Sequence, residues 1–147
     1  MMADGIERID GASFADARGV LTYVNALDLA PVRRFYLIRQ SETDQVRGWN
    51  GHRQERKWFY CIRGAFAIGL VAIDDWRYPS LALSAEVIRV CAEQGQVICV
   101  PAGYANAVKA LAPESELLVF SDRTLEESKQ DSFRWEVSRW VDWETVK

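Results

Sequence analysis

Short segments with the composition of β-strands recur about every ten residues along most of the chain, and this rhythm constrains the fold more than any other feature. The segments are rich in β-branched and aromatic residues, and turn-forming residues separate them. They occupy residues 20–24, 32–38, 57–73, 87–91, 97–100, 107–111 and 117–120, and the third is broken at Gly64. No stretch before residue 124 has the length and period of a substantial helix. The pattern predicts an all-β sandwich or barrel.

The segment that begins at Lys57 has an unusual buried face. Alternation along a strand places Lys57, Phe59 and Cys61 on one face and the intervening aromatic and apolar residues on the other. A lysine therefore begins an otherwise apolar face. Two interpretations remain open at this stage: a functional lysine in the interior, or a surface lysine on an edge strand.

The end of the chain changes character after residue 123. Thr124, followed three residues later by Glu127, predicts a capping box and a short helical turn. Four large aromatic residues then lie among charges, at positions 133, 135, 140 and 143, and we expect them to pack over the barrel or across a subunit interface. We expect one domain over residues 1–147, with a core from about 11 to 123 and a tail over 124–147.

Composition excludes several classes of function. The formal net charge is -3 with both signs intermixed, so no basic field indicates nucleic-acid binding. No apolar run approaches the length of a membrane span, and the polar start is not that of a signal peptide, so we expect a cytoplasmic protein. Cys61, Cys91 and Cys99 lie in apolar segments without metal-binding spacing and are expected to pack in the core.

Two stretches carry motifs. The first, residues 47–64, contains the only histidine, His52, and is interpreted as a polar, glycine-spaced turn leading into the strand at Lys57. It resembles the first cupin motif, His-x-His followed by Glu and Gly, with Asn50, His52, Lys57 and Gly64 at the equivalent positions. The second stretch resembles the second cupin motif, with equivalent residues Gly95, Pro101, Gly103 and Asn106. This resemblance implies a jelly-roll β-sandwich of the cupin (RmlC-like) kind with a short helical tail.

The residues at the usual cupin ligand positions are unsuited to a metal. Asparagine is a weak ligand, and an ammonium at Lys57 repels a divalent cation. We therefore expect no metal and no other cofactor. The chemistry left to such a site is acid–base catalysis and hydrogen bonding.

Further short motifs are similar to those of metal-free cupins that remodel dTDP-4-keto-6-deoxy sugars. These are the dTDP-4-dehydrorhamnose 3,5-epimerases and the sugar 3,4-ketoisomerases of the WxcM-like group. The resemblance extends from Phe14 to about Glu127, and the matching segments are Phe14-x-Asp16-x-Arg18-Gly19, Arg47-Gly48, Pro101 to Asn106, and Ser121-Asp122. It implies an isomerase or epimerase of nucleotide-sugar metabolism that serves polysaccharide biosynthesis, a thymidine-diphosphate sugar as substrate, and a homodimer.

The chemistry of such a reaction suggests a role for each candidate residue. His52 is the candidate acid or base, Lys57 the group that stabilises an enolate, and Tyr36 a proton donor. Guanidinium groups suit a diphosphate. The candidate substrate-binding residues are Arg18 and Arg47 for the diphosphate, with Asn50, Asn106 and Tyr104 in the pocket. Phe14, or alternatively Trp49 or Trp76, is the candidate for stacking on thymine.

Asn50 leaves the activity open. In both families the matching position is a histidine that takes part in proton transfer, and an amide cannot take a proton. Either His52 works alone with Tyr36 or Lys57, or the reaction differs, or the chain is a non-catalytic sugar-nucleotide-binding or partner-binding cupin. Arg18 and Arg47 have a structural alternative as ion-pair partners, and the asparagines have one as residues that close turns.

Overall fold

The computed structural model describes residues 5–147, in which twelve strands form two five-stranded sheets and a hairpin. The strands are β1 Glu7–Ile9, β2 Ala12–Asp16, β3 Gly19–Tyr23, β4 Arg34–Gln40, β5 Val46–His52, β6 Lys57–Arg63, β7 Ala65–Ala72, β8 Glu86–Cys91, β9 Val97–Val100, β10 Tyr104–Ala110, β11 Ser115–Ser121 and β12 Phe133–Arg134. The helical elements are α1 Leu125–Lys129 and a short 3-10 turn, Trp143–Thr145. Neither has the length and hydropathy that a bilayer-spanning helix needs.

The two sheets are antiparallel and face each other. The first has the strand order β1-β9-β6-β11-β4, and the second has the order β12-β5-β10-β7-β8. Apolar side chains from both sheets fill the space between them, including Phe59, Ile98, Val108 and Val119. The all-β sandwich expected from the strand rhythm is confirmed.

Lys57 lies in the interior, as one of its two interpretations requires. It begins β6, a central strand that pairs with β9 and β11, and only 7% of the residue is exposed. Phe59 and Cys61 follow it on the same inner face. The edge-strand alternative for Lys57 is therefore wrong.

The tail covers the outer face of the second sheet. Trp143 and Val146 pack there against Trp49, and Lys109 Nζ donates to the carbonyl oxygens of Trp143 and Val146 at 2.8 Å each. Gly51 permits this packing, because a Cβ atom on it would lie 2.6 Å from the Trp135 ring. The expectation that the tail aromatics pack over the barrel is confirmed. The capping box of Thr124 and Glu127 is present as well.

Four strands differ from the sequence interpretation. Val46–His52, expected to be a turn, is strand β5, and Ala12–Asp16, expected to be a loop, pairs with β3. Glycine and asparagine lower the strand propensity of β5. In the fold, pairing with β10 on one side and β12 on the other stabilises it as a strand. Strands β1 and β12 lie outside the expected core of residues 11–123.

Candidate active site

Polar side chains gather on the inner faces of both sheets, at the end where β5 stops and β6 starts. In the second sheet, His52 is paired with Tyr104 and Asn50 with Asn106, so the four side chains share one face. Tyr104 packs in the inner core, and His52 and Asn106 are buried at 6% and 8% exposure. The two motif stretches of the sequence thus meet on adjacent strands.

The facing sheet contributes the basic residues and Tyr36. Lys57 Nζ lies 5.8 Å from the centre of the Tyr36 ring, and the Arg34 guanidinium lies 5.3 Å from it. Arg34 and Lys57 both pair with Ser121 of β11, one from each side, which brings the two cations to the same level of the sheet. All three predicted catalytic residues, His52, Lys57 and Tyr36, therefore lie at this end of the sandwich.

Glu55 is a member of the cluster that the sequence analysis missed. Its carboxylate is fully buried and lies 3.6 Å from Arg34 Nη2, 3.7 Å from His52 Nδ1 and 3.8 Å from Lys57 Nζ. Neither oxygen has a hydrogen-bond partner among the described residues. The position of Glu55, two residues before Lys57, could have indicated its role, because a buried ammonium requires a nearby negative charge.

The ring of His52 is held in one tautomer. Its Nδ1 lies 2.8 Å from the backbone carbonyl oxygen of Asp131, and a carbonyl can only accept, so Nδ1–H donates. In the neutral ring, Nε2 then has the lone pair. Burial lowers the pKa of His52, and the positive charge of Lys57 lowers it further, while Glu55 and Asp131 act in the opposite direction. The imidazole is therefore kept neutral to a lower pH than a solvent-exposed histidine.

Replacing Lys57 with methionine is expected to raise the pKa of His52, because the charge that repels the imidazolium is removed while Glu55 stays. NMR titration of the ring protons measures this directly, since His52 is the only histidine. Lys129→Met is the matched control, because that side chain is 64% exposed on α1. A pKa that falls in Lys57→Met would contradict the expectation.

The remaining predicted residues lie in two places. Arg47 pairs with Val108, which puts it on the inner face of β5, where it is exposed and makes no ion pair within residues 5–147. Arg18 and Phe14 lie on the β2–β3 hairpin, whose inner end contacts the turn before β9. Lys57 pairs with the other end of β9, at Val100, so the hairpin does not join the His52 cluster of its own chain.

Arg18 pairs with a carboxylate of its own hairpin. It forms a 2.6 Å ion pair with Asp16, and its side chain is 88% exposed. An ion pair this exposed contributes little to stability. The guanidinium is therefore available to a stronger anion.

Cavity size does not by itself identify the site. A cavity of about 560 Å³ lies under the tail between Lys109 and Trp143, and one of about 320 Å³ lies on the hairpin beside Phe14 and Arg18. Neither is lined by His52, Glu55 or Lys57. The cluster is distinguished instead by ionisable groups buried together, which is typical of functional sites.

The donor set of the cluster is poorly suited to a metal ion. Within residues 5–147, no group of three or more His, Cys, Asp or Glu side chains is placed to hold one. The cluster offers one imidazole and one carboxylate, and the carboxylate already lies beside two cations.

Known structures with this fold include sugar-nucleotide enzymes. QdtA, a 3,4-ketoisomerase of Thermoanaerobacterium thermosaccharolyticum solved as a point mutant with TDP-4-keto-6-deoxyglucose, is 20% identical over 91% of this chain and 90% of that one, with a TM-score of 0.70. The Mycobacterium tuberculosis RmlC epimerase is 17% identical over 99% and 78%, with a TM-score of 0.80. NovW, a 4-keto-6-deoxy sugar epimerase from Streptomyces spheroides, is 18% identical over 98% and 77%, with a TM-score of 0.76. These similarities establish an RmlC-like cupin fold.

Sequence comparison identifies the family. A comparison with curated proteins found no match. The sequence profile of the family described as "FdtA: WxcM-like, C-terminal" matches residues 4–135, a range that includes both sheets and the whole His52 cluster. With that extent of match, this chain belongs to the WxcM-like family.

Proposed function

We propose that this chain is a metal-independent isomerase acting on a dTDP-4-keto-6-deoxyhexose, by 3,5-epimerisation or 3,4-keto transfer. The observation that carries the proposal is a buried imidazole, His52, with its Nδ1–H donated to the backbone, beside a buried ammonium, Lys57. Family membership and the solved ketoisomerases and epimerases of the same fold support the substrate class.

Both reactions begin with the loss of a proton from the carbon next to the ketone. His52 Nε2 takes this proton, and the electron pair of the broken C–H bond moves into an enolate with its negative charge on the ketone oxygen. Lys57 stabilises that charge. To invert the carbon, Tyr36 donates a proton to the face opposite His52. To move the carbonyl, Tyr36 or His52 donates a proton to the former ketone carbon, and the proton of the neighbouring hydroxyl passes to the former ketone oxygen.

The proposed substrate contacts follow from the chemistry of the remaining residues. Asn50 and Asn106 form a pair of amides across two strands, suited to sugar hydroxyls, and Tyr104 lies beside them. Arg47, exposed and without an ion pair in the described part of the chain, suits a phosphate. Arg18 and Phe14 are proposed to reach the diphosphate and thymine of a neighbouring subunit.

We propose a homodimer because the chain exposes two apolar surfaces, one on β4 and one on the β2–β3 hairpin. Phe35 and Leu37, on the outer face of edge strand β4, are 65% and 50% exposed. On the hairpin, Phe14, Val20 and Leu21 are 57%, 69% and 64% exposed. Burying these surfaces against a second copy is favourable and brings Arg18 to another chain.

Leu37→Glu is expected to shift the protein from dimer to monomer, since it places a charge in the proposed interface. Light scattering after size-exclusion chromatography measures the mass. Leu81→Glu is the matched control, because Leu81 is 74% exposed in the segment between β7 and β8, away from both surfaces. A wild-type protein that is monomeric at micromolar concentration would contradict the dimer proposal.

Solvent exchange tests the activity. The protein is incubated in deuterated water with a panel of TDP-4-keto-6-deoxyhexoses, and mass spectrometry measures label in the sugar; calorimetry with TDP measures binding separately. Incorporation that depends on the enzyme supports isomerisation, and the position of the label and the product configuration separate epimerisation from keto transfer. Absence of both incorporation and binding would refute the proposal.

The paired amides favour a second candidate, a sugar-nucleotide-binding cupin without catalysis. Asn50 and Asn106 face each other across β5 and β10, and neither can accept a proton at neutral pH. TDP binding without label incorporation from any sugar of the panel would support this candidate over the isomerase.

A further inference from the structure

Asp131 contacts four consecutive residues of the active-site segment, although it lies 79 positions after His52. Its carboxylate accepts hydrogen bonds from three successive backbone N–H groups, those of Arg53 at 2.8 Å, Gln54 at 2.9 Å and Glu55 at 3.2 Å. Its backbone carbonyl accepts the Nδ1–H of His52 at 2.8 Å. One residue thus binds both the imidazole and the backbone of the loop that follows it.

We propose that Asp131 is a positioning residue, which holds His52 in the Nδ1–H tautomer and directs Nε2 into the pocket between the sheets. The carboxylate anchors the loop 53–55, and this anchor keeps the Asp131 carbonyl in line with the ring. Only the catalytic consequence of this inference rests on the proposed function. The tautomer itself is a property of the ligand-free protein.

The segment around Asp131 is fixed on both sides, which suits it to this role. Before it, the capping box starts α1, and the Asp131 N–H donates to the carbonyl of Ser128 at 3.1 Å. After it, β12 adds to the edge of β5, with Phe133 paired to Gly51. Three N–H groups on one carboxylate form charge-assisted hydrogen bonds, which are stronger than neutral ones.

The contacts of Asp131 also extend to the charged cluster. Its carboxylate binds the backbone N–H of Glu55, whose side chain faces Arg34, His52 and Lys57. If the Asp131 carbonyl moves away from the ring, the Glu55 carboxylate does not replace it, because Oε1 lies 3.7 Å from Nδ1, which is beyond hydrogen-bond length. A freed ring is therefore expected to redistribute toward the Nε2–H tautomer that dominates free imidazole side chains.

Nitrogen NMR of histidine-labelled protein tests the inference without substrate. Because His52 is the only histidine, its two ring nitrogens give the only imidazole resonances. Above the pKa of His52, the wild type is expected to show a protonated Nδ1 and an unprotonated Nε2. Asp131→Ala is expected to lose most of this signature, and its exchange activity on the TDP-sugar panel is expected to fall by about 100-fold or more.

Asp122→Ala is the matched control. The Asp122 carboxylate accepts from the Arg56 N–H at 2.8 Å, so it anchors the same loop without binding the imidazole. It should keep the Nδ1–H tautomer. If Asp131→Ala does not fold, Asp131→Asn decides, since one amide oxygen retains part of the anchor and an intermediate tautomer ratio is expected.

Two outcomes would overturn the inference. One is a folded Asp131→Ala protein, or a folded Asp131→Asn protein where the alanine variant fails, with the full wild-type tautomer. The other is a wild-type protein whose proton is on Nε2. A protein with the expected tautomers but no exchange activity would refute the isomerase proposal alone.

Discussion

Replacing His52 with glutamine is expected to lower enzyme-dependent deuterium incorporation by about 100- to 10,000-fold, the usual contribution of a positioned general base. The His52 ring is buried, its Nδ1 is fixed by a hydrogen bond, and its pKa is lowered. Its Nε2 therefore has a lone pair that is free to take a proton. Glutamine keeps a polar side chain of similar reach but cannot take the proton. The measurement is the initial rate of label incorporation, with TDP affinity determined in parallel.

TDP binding is the internal control for this variant. The diphosphate is proposed to bind Arg18 on the hairpin and Arg47 near the start of β5, five residues before His52, so affinity for TDP should remain close to that of the wild type. Exchange within about tenfold of wild type would show that another group, Tyr36 or Lys57, is the base. In the active wild type, the rate should fall with acidification only below the ordinary range of histidine, since burial and Lys57 keep His52 neutral to lower pH.

Replacing Glu55 with glutamine is expected to lower the free energy of unfolding by about 3 kcal/mol, in the range found when one partner of a buried ion pair is removed. The Lys57 side chain is 8% exposed, and its ammonium has no other carboxylate within ion-pair distance in the described chain. Arg34 contributes less to the effect, because 24% of its side chain reaches solvent. Chemical denaturation with a two-state fit measures the change.

A double variant tests the cause of this loss. Glu55→Gln combined with Lys57→Met removes both charges, so most of the lost stability should return. Glu116→Gln is the control for an exposed pair, because Arg39 and Glu116 lie 2.6 Å apart with 75% and 23% of their side chains exposed, and we expect a change below about 1 kcal/mol. A Glu55→Gln protein as stable as the wild type would contradict the prediction, because it would mean that the Lys57 ammonium does not need the Glu55 carboxylate.

Local patterns were sufficient wherever the determining contacts are close in sequence. The alternation of Lys57, Phe59 and Cys61 predicts their shared inner face, because side chains of a strand alternate whatever surrounds them. The capping box of Thr124 and Glu127 is likewise a contact between residues three apart. The resemblance of the two motif stretches to cupin motifs implied the fold, and in that fold His52 and Asn50 lie on the strand next to Asn106.

Local patterns failed where a distant segment supplies the partner. Val46–His52 has little strand propensity, and it becomes a strand because β10 and β12 pair with it. The sequence pattern places Arg34 only in a strand. In the structure its guanidinium faces the carboxylate of Glu55, in the loop between β5 and β6.

By itself, the sequence determined the shared face of Lys57, Phe59 and Cys61, the cupin-like spacing and the residue types at the usual ligand positions, because each depends only on positions along the chain. The tertiary structure alone decided the hydrogen bond and the electrostatic environment of the His52 ring. Its tautomer depends on a carbonyl 79 residues away. Its pKa depends first on its own burial and then on the nearby charges of Lys57 and Glu55. Electrostatic energies depend on distances between charges and on burial in the folded protein, and the separation of two residues in the sequence determines neither.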